Sequence, residues 1–147
     1  MSTSIIRSYQ QVVLDHGRNP RNFGVPAKFE RMANGRTPGC GDNITVFVSF
    51  AGITTDRRVA TIAFDGEGCA VSRASGSLMT LALEGTRLDA ARTLIKNAIA
   101  FLEGRDAVDP ALGECACFEN IHHFPSRQRC ALLPWRAMAE AVLKEVI

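Results

Sequence analysis

The stretch Asp65-Gly66-Glu67-Gly68-Cys69-Ala70-Val71-Ser72 decides how this chain reads, because an apolar run ends there in two glycines and a cysteine stands where a helix should begin. Glycine adopts backbone angles that side chains forbid, so Gly66 and Gly68 permit a tight reversal from a strand, Val59 to Phe64, into a helix. That reading places Cys69 in the first helical turn. Unpaired N–H groups there carry partial positive charge, which favours thiolate over thiol. A thiolate is a nucleophile and a metal ligand, whereas a free cysteine is also commonly a small buried hydrophobe. This stretch leaves both readings open.

Working back from it, Val59 to Phe64 (VATIAF) and Ile44 to Phe50 (ITVFVSF) alternate and are rich in β-branched and aromatic residues, the pattern of half-buried strands. The turn Ala51 to Arg58 makes them a hairpin. Lys28 to Met32 is a weaker strand, and Gly35 to Asp42 is a loop that presents Cys40. The expected fold class is α+β: a small three-stranded antiparallel sheet with one face covered by several helices.

The helices follow from the 3.6-residue period. Ser4 to about His16 carries Ile5, Ile6, Tyr9, Val12 and Val13 on one face, with Gly17 as its stop. Arg18 to Pro26 is dense in turn formers and reads as an irregular connection whose Phe23 covers the core edge. A helix from Cys69 to about Glu84 stops at Gly85, and a second, Leu88 to Glu103, stops at Gly104. Arg105 to Pro110 is a polar turn, and Leu112 to about Ile121 a short helix or irregular bridge. The final helix runs to Val146. Its start is open: Pro134 is comfortable in a first turn, and a helix beginning before Cys130 places that proline inside it.

At 147 residues, 46% of them apolar, the chain is most simply a single domain over residues 1–147. Lys and Arg number 17 against 15 for Asp and Glu, a balance that argues against a nucleic-acid binder. No run has the length of a signal peptide core or a membrane span, so the expected location is the cytoplasm, with no membrane partner.

The five cysteines are Cys40, Cys69, Cys115, Cys117 and Cys130. An odd number in a reducing compartment does not suit a disulfide framework, so metal binding or thiol chemistry becomes the question. Cys40, Cys69 and Cys130 stand at loop or helix-start positions, far apart and without local C-x-x-C pairs. A metal site would have to be assembled by the fold, with Asp42, across Gly41 from Cys40, as a fourth ligand. Three thiolates and a carboxylate suit zinc or the edge of an iron-sulfur cluster. Dispersed cysteines are equally often packing. Cys115 and Cys117 favour packing over a second metal site. His122 and His123 are left outside the site.

Taken together, Asn19-Pro20-Arg21-Asn22, Gly39-Cys40-Gly41-Asp42, Phe64 to Ser72 with Ala74-Ser75, and Phe124-Pro125-Ser126-Arg127 leading to Cys130 resemble the IscU/SufU/NifU-N iron-sulfur assembly proteins. The resemblance runs over nearly the whole chain, each cysteine arriving inside its own block and in order. It implies a compact fold in which Cys40, Cys69 and Cys130 meet at one surface site. It also implies that Asp42 joins them around zinc or helps a cluster leave. A pyridoxal-phosphate cysteine desulfurase, SufS-like, would supply sulfur as a persulfide, and a downstream iron-sulfur scaffold or apo-protein would receive it.

Within that family, IscU-type scaffolds carry Leu-Pro-Pro-Val-Lys and a histidine directly before the third cysteine. Here Phe124 to Gln128 and Arg129 stand instead. The long interval from Cys69 to Cys130 resembles SufU, as does Arg127 three residues before Cys130. The resemblance therefore implies a zinc-dependent sulfur acceptor and carrier, at most a sulfurtransferase acting with the desulfurase. Cys40, on its glycine-flanked loop, is the expected acceptor, and Arg127 a thiolate or partner contact. Two rivals are a scaffold for a transient [2Fe-2S] cluster on the same ligands and a purely structural zinc domain. Phosphate binding at Gly66-Glu67-Gly68 fails, because Val71 stands where G-x-G-x-x-G needs glycine.

Overall fold

The computed structural model describes residues 7–38 and 41–143. Helix α1 (Tyr9–Arg18) starts at a reciprocal cap: the Gln11 backbone N–H donates to Ser8 Oγ, and the Ser8 N–H donates to the Gln11 side chain. That cap explains why the helix begins later than its apolar period suggests. Residues 4–6 of the expected helix lie outside the described residues. Gly17 does not stop α1, which runs on to Arg18. A Cβ on Gly17 would come within 3.2 Å of the Ala70 carbonyl oxygen, a tight fit where α1 lies against the start of the next long helix.

Three strands follow, β1 (Arg31–Arg36), β2 (Asn43–Ala51) and β3 (Arg58–Glu67), antiparallel in the order β1-β2-β3. Strand β1 lies later than the expected Lys28 to Met32 and takes in Gly35 and Arg36, which read as loop. Cross-strand pairing decides it, since Arg31 pairs with Val48 and Arg36 with Asn43. The β2–β3 hairpin is as expected, with a 3-10 turn at Thr54–Asp56 in its connection. Ile44, Val46, Val48 and Phe50 from β2 and Val59, Ile62 and Phe64 from β3 are all buried. They form the inner face, on which the helices lie.

Helices α2 (Ala70–Leu83), α3 (Leu88–Leu102) and α4 (Pro125–Leu143) complete the core. Helix α2 packs on α1 and α4, and α4 packs on β1, β2 and α3. Two 3-10 segments, Pro110–Phe118 and Ile121–His123, form the irregular bridge between α3 and α4. Helix α4 opens on Pro125, so Pro134 falls in its interior. Proline has no N–H to give, and the carbonyl it leaves without a helical partner is that of Cys130.

The Asn19 to Asn22 segment docks the connection onto α2 and β3. The Arg21 backbone N–H donates to Ser77 Oγ at 2.8 Å, Asn22 Nδ2 to Thr80 Oγ1 at 3.0 Å, and the Phe64 N–H to the Asn22 carbonyl at 3.1 Å. Phe23 meets the buried Phe64 edge-on at 5.2 Å, as its place at the core edge suggests. No helix among the described residues is long and apolar enough to cross a membrane.

Candidate metal centre

Antiparallel pairing builds one side of the site. Asn43 at the start of β2 pairs with Glu67 at the end of β3, so Asp42, just before one strand, comes beside Cys69, just after the other. The strand continues through Gly66 to Glu67 instead of reversing at Gly66. Gly66 sits there at φ +127, where a Cβ would meet the Asn43 carbonyl oxygen at 2.0 Å. Cys69 is therefore the N-cap of α2 and not part of its first turn, and its side chain is exposed.

The loop that carries Asp42 is closed by the Thr37 N–H donating to the Asp42 carbonyl at 3.1 Å. The Asp42 carboxylate is buried at 7% exposure and faces the Cys69 backbone N–H at 3.5 Å. Cys130 enters from α4. Ser75 on α2 donates its hydroxyl to the Ala131 carbonyl at 2.6 Å, tying the two helices together one residue beyond the thiol.

As a result one oxygen of Asp42 and the sulfurs of Cys69 and Cys130 lie within 4.8 Å of one another. Burial pushes the Cys130 thiol well above its ordinary range, and hydrogen bonds to Cys69 and Asp42 push it the same way. The donor set fits zinc. Zn–S bonds of about 2.3 Å set two thiolates roughly 3.8 Å apart in a tetrahedron, and two soft sulfurs with a hard carboxylate are ordinary zinc ligands. Asp42, Cys69 and Cys130 are thus brought together, while Cys40 lies outside the described residues.

Arg127 stands elsewhere on the rim. Its guanidinium lies over the Phe124 ring at 5.4 Å, and with Tyr9, Cys117, Asn120 and Ile121 it lines a cavity of about 270 Å³. Cys115 is buried in the core, with its thiol raised by burial, and the half-buried Cys117 is pushed up to about 12 for the same reason. Neither joins Asp42. His122 and His123 stack on each other at 4.0 Å, and His122 also packs on Gly104, so both imidazoles stand outside the group of donors.

The sequence reading named Ser75, Tyr9 and Phe124 but gave Ser75 no part in tying α2 to α4 and did not bring Tyr9 and Phe124 together as one cavity wall.

A small antiparallel sheet with helices on its inner face opens at one corner onto two thiols and a carboxylate, a donor group that could hold a metal ion. The chain belongs to the NifU-like N-terminal domain family, whose profile matches residues 8–131. It is 36% identical over 141 residues to the zinc-dependent sulfurtransferase SufU of Bacillus subtilis, a match covering 93% of this chain and 90% of that protein. It is 34% identical over 137 residues to the iron-sulfur cluster assembly scaffold protein IscU of Streptococcus pyogenes, covering 91% and 82%. Among solved structures, FiSufU of Fervidobacterium islandicum, described as an iron-sulfur cluster assembly scaffold for the SUF system, superposes with a TM-score of 0.80 at 27% identity. That match covers 96% of this chain and 99% of FiSufU.

Proposed function

We propose that this protein is a zinc-dependent sulfur acceptor and carrier in iron-sulfur cluster assembly, taking persulfide sulfur from a pyridoxal-phosphate cysteine desulfurase. The observation that carries the reading is the convergence of Asp42, Cys69 and Cys130 within 4.8 Å. Identity to a zinc-dependent sulfurtransferase over most of both chains supports it.

Cys40, Asp42, Cys69 and Cys130 are the ligand set. Zinc, when bound, keeps thiols ionised at neutral pH, which the buried Cys130 does not achieve alone. Cys40 is the acceptor. Its thiolate attacks the outer sulfur of the donor's persulfide, a new S–S bond forms on Cys40, and the donor's own S–S bond breaks to release its cysteine as a thiolate. Cys69 caps α2 and Cys130 belongs to α4, whereas Cys40 stands between two glycines in the sequence. Arg127, one turn before Cys130, is a contact for the incoming partner.

Similarity to IscU favours a second reading, a scaffold for a [2Fe-2S] cluster on the same ligands. Metal analysis of protein purified without added metal and without oxygen separates the two. The carrier reading expects about one zinc per chain, no iron, and faster turnover of a cysteine desulfurase when the protein is added. Iron with acid-labile sulfide, or a desulfurase indifferent to the zinc form, overturns it.

A further inference from the structure

Strand β1 ends at Arg36, and one more rung of the ladder follows it. The Thr37 N–H donates to the Asp42 carbonyl at 3.1 Å, continuing the register that sets Arg36 opposite Asn43. Residues directly opposite in an antiparallel ladder project to the same face of the sheet. That face is the one under α4, since a Cβ on Gly35, two residues before Thr37, would meet the Leu133 side chain at 2.9 Å. Thr37 and Asp42 are accordingly both buried, each at 7% exposure. Pro38 biases Thr37 towards the extended backbone that this pairing needs.

The Thr37 hydroxyl is itself buried and has no hydrogen-bond partner among the described residues. Valine has the same shape and would leave no donor unmatched, so packing alone does not call for the oxygen. Across the ladder, the Asp42 carboxylate accepts from the Cys130 thiol and faces the Cys69 N–H at a long 3.5 Å. Holding a metal ion requires Cys130 to give up its proton, so Asp42 loses that donor just as one of its oxygens turns to the ion. The other oxygen is then buried and in need of a proton, and ligating carboxylates are held by hydrogen bonds from the residues behind them.

We propose that Thr37 is a positioning residue for the metal centre: in the metal-bound protein its hydroxyl donates to the Asp42 oxygen that is not on the ion, and so fixes the carboxylate. This role rests on Asp42 being a ligand, as in the function proposed above. The unmatched hydroxyl burdens the metal-free fold and is matched on binding, so one group acts against the empty site and for the filled one. A side chain that only packs acts in the same direction on both.

The test sets zinc affinity, measured by chelator competition, beside the urea midpoint of the metal-free full chain. Thr37→Val is expected to lose about tenfold or more in zinc affinity while the metal-free midpoint stays at or above the parent's. Thr37→Ser should bind zinc more tightly than Thr37→Ala, which differs from it by the oxygen alone, and this pair serves if the valine variant does not fold. Added to Asp42→Ala, Thr37→Val should lower the affinity no further, because the group it acts through is gone. Parental affinity in Thr37→Val, a metal-free midpoint that falls along with the affinity, or the same loss in the Asp42→Ala background overturns the proposal and leaves the function standing. A parent that binds no zinc, or binds it unchanged after Asp42→Ala, refutes the ligand set of the proposed function and the role of Thr37 with it.

Discussion

The Ser75 hydroxyl donates to the Ala131 carbonyl at 2.6 Å across the buried contact of α2 with α4. Ser75 belongs to the helix that Cys69 caps, and Ala131 follows Cys130, so this bond sets the spacing of two thiols that come from distant parts of the chain. Ser75→Ala should lower stability by about 1 kcal/mol, the net worth of a buried hydrogen bond, and weaken zinc binding. Urea midpoints and chelator competition measure the two effects. Lost stability with unchanged zinc affinity would confine the bond to packing.

Cys40→Ala should abolish stimulation of the desulfurase while the circular dichroism spectrum and the cooperative melt persist. The core is built from other residues, with Ile44, Phe64 and Trp135 fully buried. Retained stimulation would remove Cys40 as the acceptor.

Asp42→Ala should weaken zinc binding about tenfold or more, a change of ~1.4 kcal/mol, because the site loses a charged donor and Cys69 loses the carboxylate facing its N–H. Zinc affinity and exchange rate both equal to the parent's would take Asp42 out of the site.

Stability should fall as the pH drops below about 6.5, the ordinary histidine value, because of His16. This imidazole is 1% exposed, and its Nδ1 meets Ser77 Oγ at 2.7 Å. Ser77 Oγ also accepts from the Arg21 N–H, and His16 Nε2 lies 3.8 Å from a Glu114 carboxylate oxygen. Burial lowers the His16 pKa, with Arg21 and Arg7 acting the same way against Asp15 and Glu114. The unfolded chain therefore binds the proton first, and stability is fully present above the unfolded value and lost below it until the folded value is reached. The limiting slope is about 1.4 kcal/mol per pH unit. Asp15 and Glu114 have lowered pKa values themselves and lose their pairing only in more acidic solution, so the window just below 6.5 belongs to His16. Denaturant midpoints from pH 8 to 5 should flatten in His16→Gln. A parent curve already flat there would refute the assignment.

Gly66→Ala should cost about 2 kcal/mol or more, since the new Cβ meets the Asn43 carbonyl oxygen at a backbone angle side chains avoid. A thermal melt reads it. An unchanged midpoint would mean that β3 can release its pairing with Ile44 without loss.

Much of this architecture was legible from local pattern. Alternation in Ile44 to Phe50 and Val59 to Phe64 marks two strands, the helical period marks α2 and α3 nearly to the residue, and β2 and β3 form the expected hairpin. Boundaries set by partners were not legible. Strand β1 has weak propensity and exists because β2 gives it a register, and α1 begins where Ser8 and Gln11 cap each other. For the site, the sequence by itself singled out Asp42, Cys69 and Cys130 as candidate donors and put Cys69 at the start of a helix, since glycine placement and period are local properties, whereas Cys130, expected at a loop or helix start, lies inside α4. Only the tertiary structure decided that Asp42, Cys69 and Cys130 share one corner. Those distances depend on the Asn43–Glu67 pairing and on how α4 packs against α2 and β1, and long-range register and packing leave no trace in the spacing of the residues they bring together.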